Sequence, residues 1–472
     1  MRFRKYMKRL GPVSFYREAL SIALPVMLQQ FIMSMVSLID NFMVAGLGDA
    51  KMAGINVANQ INFVYFVVLW TLCGAGGIYL SQYRGAKDEE GMKQAYRFKV
   101  LLAFCLSVVH FTLCWTIPEQ MVSLMTMGNA AQAEIVQHGS RYLRVVSFTW
   151  FPIAISTAIG TSYREIGKPR IPLYISVLAT LVNTFGNWLL IYGNLGAPRL
   201  EVAGAAIATL VARMAELGAF LVYARVRLAD GTQNAPFFVP LSKLFRLDRH
   251  LVRTILAKSG MMMLSETTWV MSETVVTALY NGRGGSEVVA GMAAGWTIAN
   301  VFFLAFSGIQ TSVSVIVGGT LGAGRLDEAR QKAGWLRSGS FVGGIFMALI
   351  GSLTVFAIPL VFGNLTPEAR TVTRGLILVI CVYFPVWTML NAQFAVARAG
   401  GDTALGMYVD GFVNLLLFIP GAFVLALGTN MDPVPMFALL KTTDFVKYAL
   451  ARWRLEKEVW VKNLTIKPVV AD

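Results

Sequence analysis

Residues 19–45 read ALSIALPVMLQQFIMSMVSLIDNFMVA, an apolar run with Pro25 early in it and one carboxylate, Asp40, near its far end. At about 1.5 Å of rise per residue, a helix of this length spans roughly 40 Å and exceeds a bilayer core of about 30 Å. The run therefore predicts a membrane-spanning helix. A charged Asp near the bilayer centre costs about 2.5 kcal/mol or more, so such an acid usually faces a bundle interior or a wet cavity. We interpret Asp40 as the mark of an ion path.

The composition is that of an integral membrane protein. Of 472 residues, 56% are hydrophobic and 14% are charged, whereas soluble domains carry about 25% charged residues. The first apolar run is too long for a signal peptide and lacks a small-residue cleavage site, so we expect it to remain in the mature protein. The net charge of +15 is interpreted as a topology signal, and no nucleic-acid partner is expected.

The cysteines and histidines do not form the patterns of a metal or redox centre. The four cysteines lie in apolar segments without a close pair, and the three histidines are scattered. The sequence has no GxxxxGK[ST] loop for binding the phosphates of ATP. We therefore predict a transporter that is not an enzyme, has no cofactor and is driven by an ion gradient.

Twelve apolar segments, six in each half, are separated by polar stretches. They lie at residues 19–45, 53–80, 98–117, 135–161, 171–193, 202–226, 255–280, 290–319, 335–362, 372–397, 406–428 and 433–451. The predicted fold is an all-α integral membrane protein with 12 transmembrane helices in two six-helix bundles. Its regions are an N-terminal lobe, a cytoplasmic linker, a C-terminal lobe and a cytoplasmic tail, at residues 1–226, 227–254, 255–451 and 452–472.

Lysines and arginines are distributed unevenly between alternate loops. Of the 41, 32 fall in the groups on one side and eight on the other, and Arg213 lies within a span. Because cytoplasmic loops carry the excess, we expect a multi-pass protein of the inner (plasma) membrane with both termini in the cytoplasm. The basic tail from Arg452 is interpreted as a solvated cytoplasmic end, with binding to lipid headgroups as the alternative.

The two halves of the chain resemble each other. A single offset of 237 residues pairs Gly48 with Gly285, Ala53-Gly54 with Ala290-Gly291, Val64 with Val301, Phe66 with Phe303, and Gly85-Ala86 with Gly322-Ala323. Because each half has an even number of spans, the repeats enter the membrane in the same direction. We predict that a pseudo-twofold axis along the membrane normal relates them, with a substrate cavity between the halves.

Four polar residues of the first half define a candidate ion site. By segment position, Asp40, Asn187 and Thr209 share a depth of about 8 to 10 Å below the outer boundary, and Asn183 lies one turn deeper than Asn187. Carboxylate, amide and hydroxyl oxygens suit a proton or a hard cation such as Na⁺. The alternative for the two asparagines and the threonine is that they make only interhelical hydrogen bonds.

Span seven carries two acids on one face. Glu266 and Glu273 are seven residues apart, and Thr277 continues the same stripe. Two acids on one helix face indicate that this face lines a water-filled cavity, and either acid could bind the coupling ion. The alternative for Glu273, which lies nearer the outside, is that it only solvates a vestibule.

The remaining intramembrane charges are interpreted as paired or interfacial. Arg213 and Glu216 are three residues apart and can neutralise each other. Asp410 lies near the cytoplasmic end of its span and is expected to reach the interface. Asp444 has a lysine three residues to either side with which it can pair. We predict no coupling role for these groups.

The chain resembles the multidrug and toxic compound extrusion (MATE) transporters over essentially its whole length. The stretches that are similar to the family run from Pro25 through Asp40 to Gly48 and include Gly85-Ala86, Gly322-Ala323, Arg164-Glu-Ile-Gly-Lys-Pro, Arg398-Ala-Gly-Gly-Asp-Thr, Val202-Ala-Gly-Ala-Ala-Ile-Ala-Thr209, and Arg452-Trp-Arg through Trp460-Val-Lys-Asn-Leu. Their order and spacing together are specific. The resemblance implies two six-helix bundles around a V-shaped cavity, and antiport of organic cations against H⁺ or Na⁺.

The resemblance also implies site residues. The family's N-lobe ion site falls on Asp40, Asn183, Asn187 and Thr209, and its span-seven acid falls on Glu266. Many relatives have a second acid where this chain has Asn187, and some have an acid in span ten, where this chain has none. We therefore expect Asp40 to act largely alone, with H⁺ favoured over Na⁺.

The predicted function is a cation-coupled antiporter that exports amphiphilic, cationic organic compounds by alternating access. Its expected partners are those small organic cations and membrane lipid, and the expected oligomeric state is a monomer. The nearest alternative is a flippase for a lipid-linked precursor, which a basic cavity would favour. A channel, or a receptor or scaffold without transport, leaves the buried carboxylates less well explained.

Overall fold

The computed structural model describes residues 10–45, 49–127, 131–226 and 234–466, and it describes no side chain at 40–42, 44–45 or 49–50. The regular secondary structure of these described residues is helical, and they contain no β-strand. The helices are α1 (Val13–Ala45), α2 (Asp49–Gly85), α3 (Glu89–Thr116), α4 (Pro118–Met125), α5 (Gln132–Val146), α6 (Trp150–Glu165), α7 (Arg170–Tyr192), α8 (Glu201–Arg225), α9 (Arg249–Asn281), α10 (Ser286–Val313), α11 (Gly319–Gly322), α12 (Leu326–Leu353), α13 (Ile358–Val361), α14 (Pro367–Ala399), α15 (Ala404–Val413), α16 (Ile419–Gly428), α17 (Pro433–Lys441) and α18 (Thr443–Glu456). Two π-helical segments, Ser314–Gly318 and Asn414–Phe418, join α10 to α11 and α15 to α16.

Each predicted apolar segment coincides with one helix or with a run of helices, so the all-α prediction is confirmed. Ten helical runs among the described residues are long and apolar enough to cross a membrane. The two other predicted crossings are α9 and the pair α17 and α18, and both contain acidic and basic residues that lower their hydropathy. Several of the charges that weaken the apolar signal of these two crossings also line a cavity described below.

The chain forms two compact units. The C-unit comprises Met1–Met27, Ser81–Lys87 and Leu256–Asp472, and the N-unit comprises Leu28–Leu80 and Asp88–Ile255. The first part of α1 and the last turn of α2 therefore pack with the C-terminal helices. The division into lobes predicted from chain order stays a prediction, since these units are defined by spatial contact.

Close packing in the C-unit centres on α14, which lies against both α10 and α12. Gly291 of α10 faces the start of α14, and a Cβ atom there would lie 2.6 Å from the carbonyl oxygen of Ala369. Because the two helices are this close, the Thr373 hydroxyl donates a hydrogen bond to the Gly291 carbonyl at 2.9 Å. Small residues at such contacts let membrane helices pack closely where lipid offers no hydrophobic driving force.

The tail beyond α18 packs into the C-unit, contrary to the expected solvated end. The Trp460 side chain is fully buried, and its Nε1 donates to the carbonyl of Leu455 at 3.2 Å. Gln82, in the last turn of α2, donates to the carbonyl of Ala399 at 2.8 Å and accepts a hydrogen bond from the backbone N–H of Leu464 at 2.7 Å. The tail therefore joins the ends of α2 and α14.

We predict that Gly400→Ala lowers the stability of the detergent-solubilised protein by about 1–3 kcal/mol, the usual cost of overpacking. A Cβ atom on Gly400 would clash with the Trp460 carbonyl oxygen, so the tail must shift. Thermal unfolding followed by tryptophan fluorescence measures the effect. The matched control is Gly411→Ala, where the added Cβ has open space and alanine favours the helix. Equal melting temperatures for the two variants would contradict the packing of the tail.

Candidate functional site

A cavity with a volume of about 650 Å³ lies within the C-unit. Helices α9, α10, α14, α15, α17 and α18 form its walls. Its side chains include Glu266, Trp269, Glu273, Thr277, Trp296, Asn300, Phe303, Phe306, Gln310, Trp387, Asn391, Phe394, Arg398, Asp410, Lys441, Asp444 and Lys447. A cavity of this size lies in the range of about 300–1,000 Å³ that holds drug-sized ligands.

One wall of the cavity is aromatic. Phe303 and Phe306 stack with ring centroids 5.4 Å apart, and Trp387 lies 5.9 Å from Phe303. Trp296 lies 6.1 Å from Phe303 and extends the same wall. Aromatic faces bind flat apolar groups and attract cations through the ring quadrupole. This wall therefore suits an aromatic or cationic ligand.

The two acids predicted on span seven also line the cavity, and each is bonded to a cation. Arg398 Nη2 lies 2.8 Å from Glu266 Oε1, and Lys441 Nζ lies 2.5 Å from Glu273 Oε1. The Lys441 ammonium is also 4.8 Å from the ring centroid of Phe418. The structure thus places Glu266 and Glu273 in one cavity. Their role in ion coupling stays a prediction.

A second charged cluster lies beside this pair on α15 and α18. Lys447 Nζ lies 3.6 Å from Asp410 and also 3.6 Å from Asp444. Ser265 Oγ donates to Asp410 at 2.8 Å, and Trp387 Nε1 donates to Asp444 at 2.8 Å. One lysine is therefore shared by two buried carboxylates.

The interpretation of Asp410 as an interfacial group is wrong, because its residue is only 7% exposed and its carboxylate faces the cavity. The predicted pairing of Asp444 is confirmed for Lys447, whereas Lys441 pairs with Glu273 on another helix. Sequence reasoning missed both aspartates as cavity residues. The sequence did contain a signal for them. In the second half, spans seven and twelve each contain acidic and basic residues, and span eleven contains a lone acid. Charges in three spans of one half favour a common cluster.

The charges of the cavity do not cancel. Among the described residues that line it, four are carboxylates and three are cations. A buried charge in a low-dielectric site is stable only when it is paired and hydrogen-bonded. With all groups ionised, one negative charge remains for a proton, a metal cation or an organic cation to neutralise.

The candidate ion site of the N-unit is partly described. Asn183 Nδ2 donates to Thr209 Oγ1 at 3.3 Å, and Asn187 Nδ2 lies 3.5 Å from Asn183 Oδ1. A cavity of about 60 Å³ adjoins Asn183 and Thr209. Asp40 belongs to α1, but its side chain lies outside the described residues. The structure therefore brings three of the four predicted residues together. Their contacts include one interhelical hydrogen bond of the kind that the alternative expected, from Asn183 to Thr209, whereas the bond between Asn187 and Asn183 lies within α7.

Two further ion pairs lie outside the C-unit cavity. Arg213 Nη1 and Glu216 Oε2 lie 2.8 Å apart, as their spacing predicts. The second pair was not predicted and joins Lys99 to Glu165 at 2.8 Å, with the lysine side chain fully buried. Within the described ranges, no group of three or more His, Cys, Asp and Glu is arranged to hold a metal ion.

A helical membrane fold with a duplicated sequence and a charged cavity inside the membrane is typical of a multi-pass transporter. The family model named MatE matches residues 25–189 and 259–424, one range in each half of the chain. The chain therefore belongs to the MatE family, the MATE transporters, and the resemblance found in the sequence is confirmed. This is a family of secondary transporters and not of enzymes.

Relatives match the chain over most of its length. A protein of Bradyrhizobium diazoefficiens described as probable multidrug resistance protein NorM is 26% identical, and the match covers 91% of this chain and 90% of that protein. The uncharacterized transporter YisQ of Bacillus subtilis is 20% identical, with 94% of both chains covered.

Solved structures share the fold. An outward-facing multidrug resistance MATE transporter of the MOP superfamily is 18% identical, with a TM-score of 0.77 over 93% of this chain and 96% of that chain. A MOP superfamily transporter from Pyrococcus furiosus is 18% identical, with a TM-score of 0.76 over 93% of this chain and 95% of that chain. The predicted fold of twelve transmembrane helices in two bundles is confirmed.

We predict that Lys447→Met destabilises the protein by about 3–5 kcal/mol, because it leaves two buried carboxylates without their shared cation. Adding Asp410→Asn to that variant removes one of the carboxylates and should recover a large part of the loss. Thermal unfolding in detergent of the two single variants and the double variant measures the coupling. Lys457→Met is the control, since Lys457 is exposed and lies over the Trp453 ring. Additive effects of the two cavity substitutions would contradict the shared pairing.

Proposed function

We propose that this protein exports amphiphilic organic cations by alternating access, coupled to the entry of a cation. The observation that carries the proposal is the C-unit cavity, which is lined by aromatic side chains together with four carboxylates and three cations. The name multidrug resistance protein given to relatives supports the same class of activity here.

The cavity's size, surface and charge support this substrate class. A volume of about 650 Å³ accommodates a drug-sized molecule. The rings of Phe303, Phe306 and Trp387 offer stacking and cation–π contacts. The one negative charge in excess matches a monovalent organic cation. An organic anion would meet a surplus of carboxylate instead.

Coupling follows if an ion and the substrate compete for the same unneutralised charge. A proton on one carboxylate removes the excess and weakens the attraction for an organic cation, whereas its release restores that attraction. Asp40 with Asn183, Asn187 and Thr209 is the proposed N-unit coupling site, and Glu266 and Glu273 are the proposed acids of the C-unit.

A proton is favoured over Na⁺ as the coupling ion. Na⁺ needs several oxygen ligands at once, and the ammonium and guanidinium groups of the C-unit cavity already bond to the carboxylate oxygens. A proton needs a single oxygen. The site at Asp40, Asn183, Asn187 and Thr209 offers more oxygens and keeps Na⁺ as the alternative.

The proposal includes a monomer in the inner membrane with both termini in the cytoplasm. The distribution of lysine and arginine between alternate loops supports this orientation. The flippase is a second candidate, because the N-unit contains a cavity that both Arg164 and Arg213 line.

The test is transport by the purified protein in liposomes. Efflux of a fluorescent organic cation is measured under an imposed pH gradient or Na⁺ gradient for the wild type, Asp40→Asn and Glu266→Gln. We expect flux with the pH gradient and flux at the level of protein-free liposomes for Asp40→Asn. The matched control is Glu368→Gln, an exposed acid in the first turn of α14. Wild-type flux without either gradient, or normal flux in Asp40→Asn, would refute the coupling scheme.

We predict that Phe303→Leu weakens binding of the organic cation by about two- to tenfold, the worth of one aromatic contact. Equilibrium binding to the detergent-solubilised protein measures this change. Phe356→Leu serves as the control, because Phe356 is 82% exposed and does not line the cavity. If both variants bind like the wild type, the substrate does not use the aromatic wall.

A further inference from the structure

The N-unit contains a cavity whose polar groups differ from those of the C-unit cavity. Its volume is about 170 Å³, and it lies between α1, α2, α6, α7 and α8. Its lining includes Arg164 and Ser156 of α6 and Trp70 of α2.

Arg164 is a buried cation without a carboxylate of its own. The residue is 8% exposed, and the described part of the chain places no carboxylate within ion-pair distance of its guanidinium. Its Nη2 donates to Gln29 Oε1 at 2.7 Å, and the guanidinium lies over the Trp70 ring at 5.3 Å. Its Nε is buried, with no hydrogen-bond partner among the described residues. A guanidinium stacked on its face still has donors along its edge.

The neighbouring carboxylates are already engaged. Glu165 and Glu216 are the acids whose charges reach Arg164. Glu165 pairs with Lys99 at 2.8 Å, and Glu216 pairs with Arg213 at 2.8 Å. This group of three cations and two carboxylates carries one positive charge in excess, opposite in sign to the excess of the C-unit cavity.

A second unpaired donor lines the same cavity. Ser156 is 4% exposed, and its Oγ is buried without a hydrogen-bond partner in the described part of the chain. Ser156 and Arg164 are eight residues apart on α6, so their Cα atoms lie roughly 12 Å apart along the axis and about 80° apart around it, and both residues line the cavity. Buried polar groups are normally hydrogen-bonded, so two unpaired donors in one cavity indicate a ligand that accepts hydrogen bonds.

We propose that this cavity binds an acidic group, a carboxylate or a phosphate, with Arg164 as its main ligand and the Ser156 hydroxyl as a further donor. Arginine presents parallel N–H donors that match both kinds of oxyanion. The volume is below the range of drug-sized pockets, about 300–1,000 Å³, so the cavity holds an acidic head and a short stem. The ligand is a small free anion or the headgroup of an anionic lipid. This site is separate from the proposed cation site and does not depend on it.

The test is calorimetric titration of the full-length protein in nonionic detergent with inorganic phosphate, and separately with benzoate, at constant ionic strength. We expect saturable binding of one anion, lost in Arg164→Gln and weakened in Ser156→Ala. The control is Arg374→Gln, because Arg374 is exposed and its removal changes the net charge equally. Absence of binding in the wild type, or binding that is equal in Arg164→Gln, overturns the proposal.

Two further arms keep the test decisive. If Arg164→Gln does not fold, Ser156→Ala and Trp70→Leu replace it, and wild-type affinity in both overturns the site.

In the second arm, the phosphate titration of the wild type is repeated in nanodiscs of phosphatidylcholine or of phosphatidylglycerol. Binding in both lipids supports a free anion, and binding blocked only by phosphatidylglycerol supports a lipid headgroup. Because the measurement is anion binding, its failure is distinguishable from failure of cation transport.

Discussion

The structure depends on the neutralisation of charge inside an apolar medium. An ionised side chain taken from water into a low-dielectric interior is stable only with a partner of opposite charge and with hydrogen bonds. The C-unit meets this constraint with Arg398, Lys441 and Lys447, each placed against an acid from another helix. These bonds fix how α9 faces α14 and α17, and thereby shape the cavity. The same groups hold the wall together and set its affinity for a cation.

The helices themselves were predictable, since bilayer thickness sets the length of each apolar run. Local ion pairs were predictable too, because two residues three positions apart on a helix are neighbours in any tertiary environment. Arg213 with Glu216 and Asp444 with Lys447 are such pairs. The partner of Glu273 was not predictable. Lys441 is 168 residues away, and their contact depends on the rotation of two helices about their axes, which composition does not encode.

Site residues could be predicted where the residue type and the depth in the span both indicated an ion site. They were missed where a simpler explanation, such as a position near the membrane interface, accounted for the charge. Asn187 and Thr209 share a predicted depth, Asn183 lies one turn deeper than Asn187, and the structure brings the three together. Asp410 was assigned to the interface because it lies near a span end, yet Ser265 and Lys447 hold it inside the C-unit. Arg164 gave no signal in the sequence beyond its motif, since only the folded N-unit reveals that its neighbouring acids are occupied.

The packing of the tail has a consequence for the order of assembly during synthesis. Gln82 bonds to Leu464 across 382 residues of chain, and Trp460 fills the C-unit beside Gly400. Contacts between residues so far apart form late, because the ribosome must first produce the intervening chain. The N-unit, Leu28–Leu80 and Asp88–Ile255, can close while translation continues. The last turn of α2 must wait for its partners, and during that interval chaperones or the insertion machinery have access to the exposed polar group of Gln82.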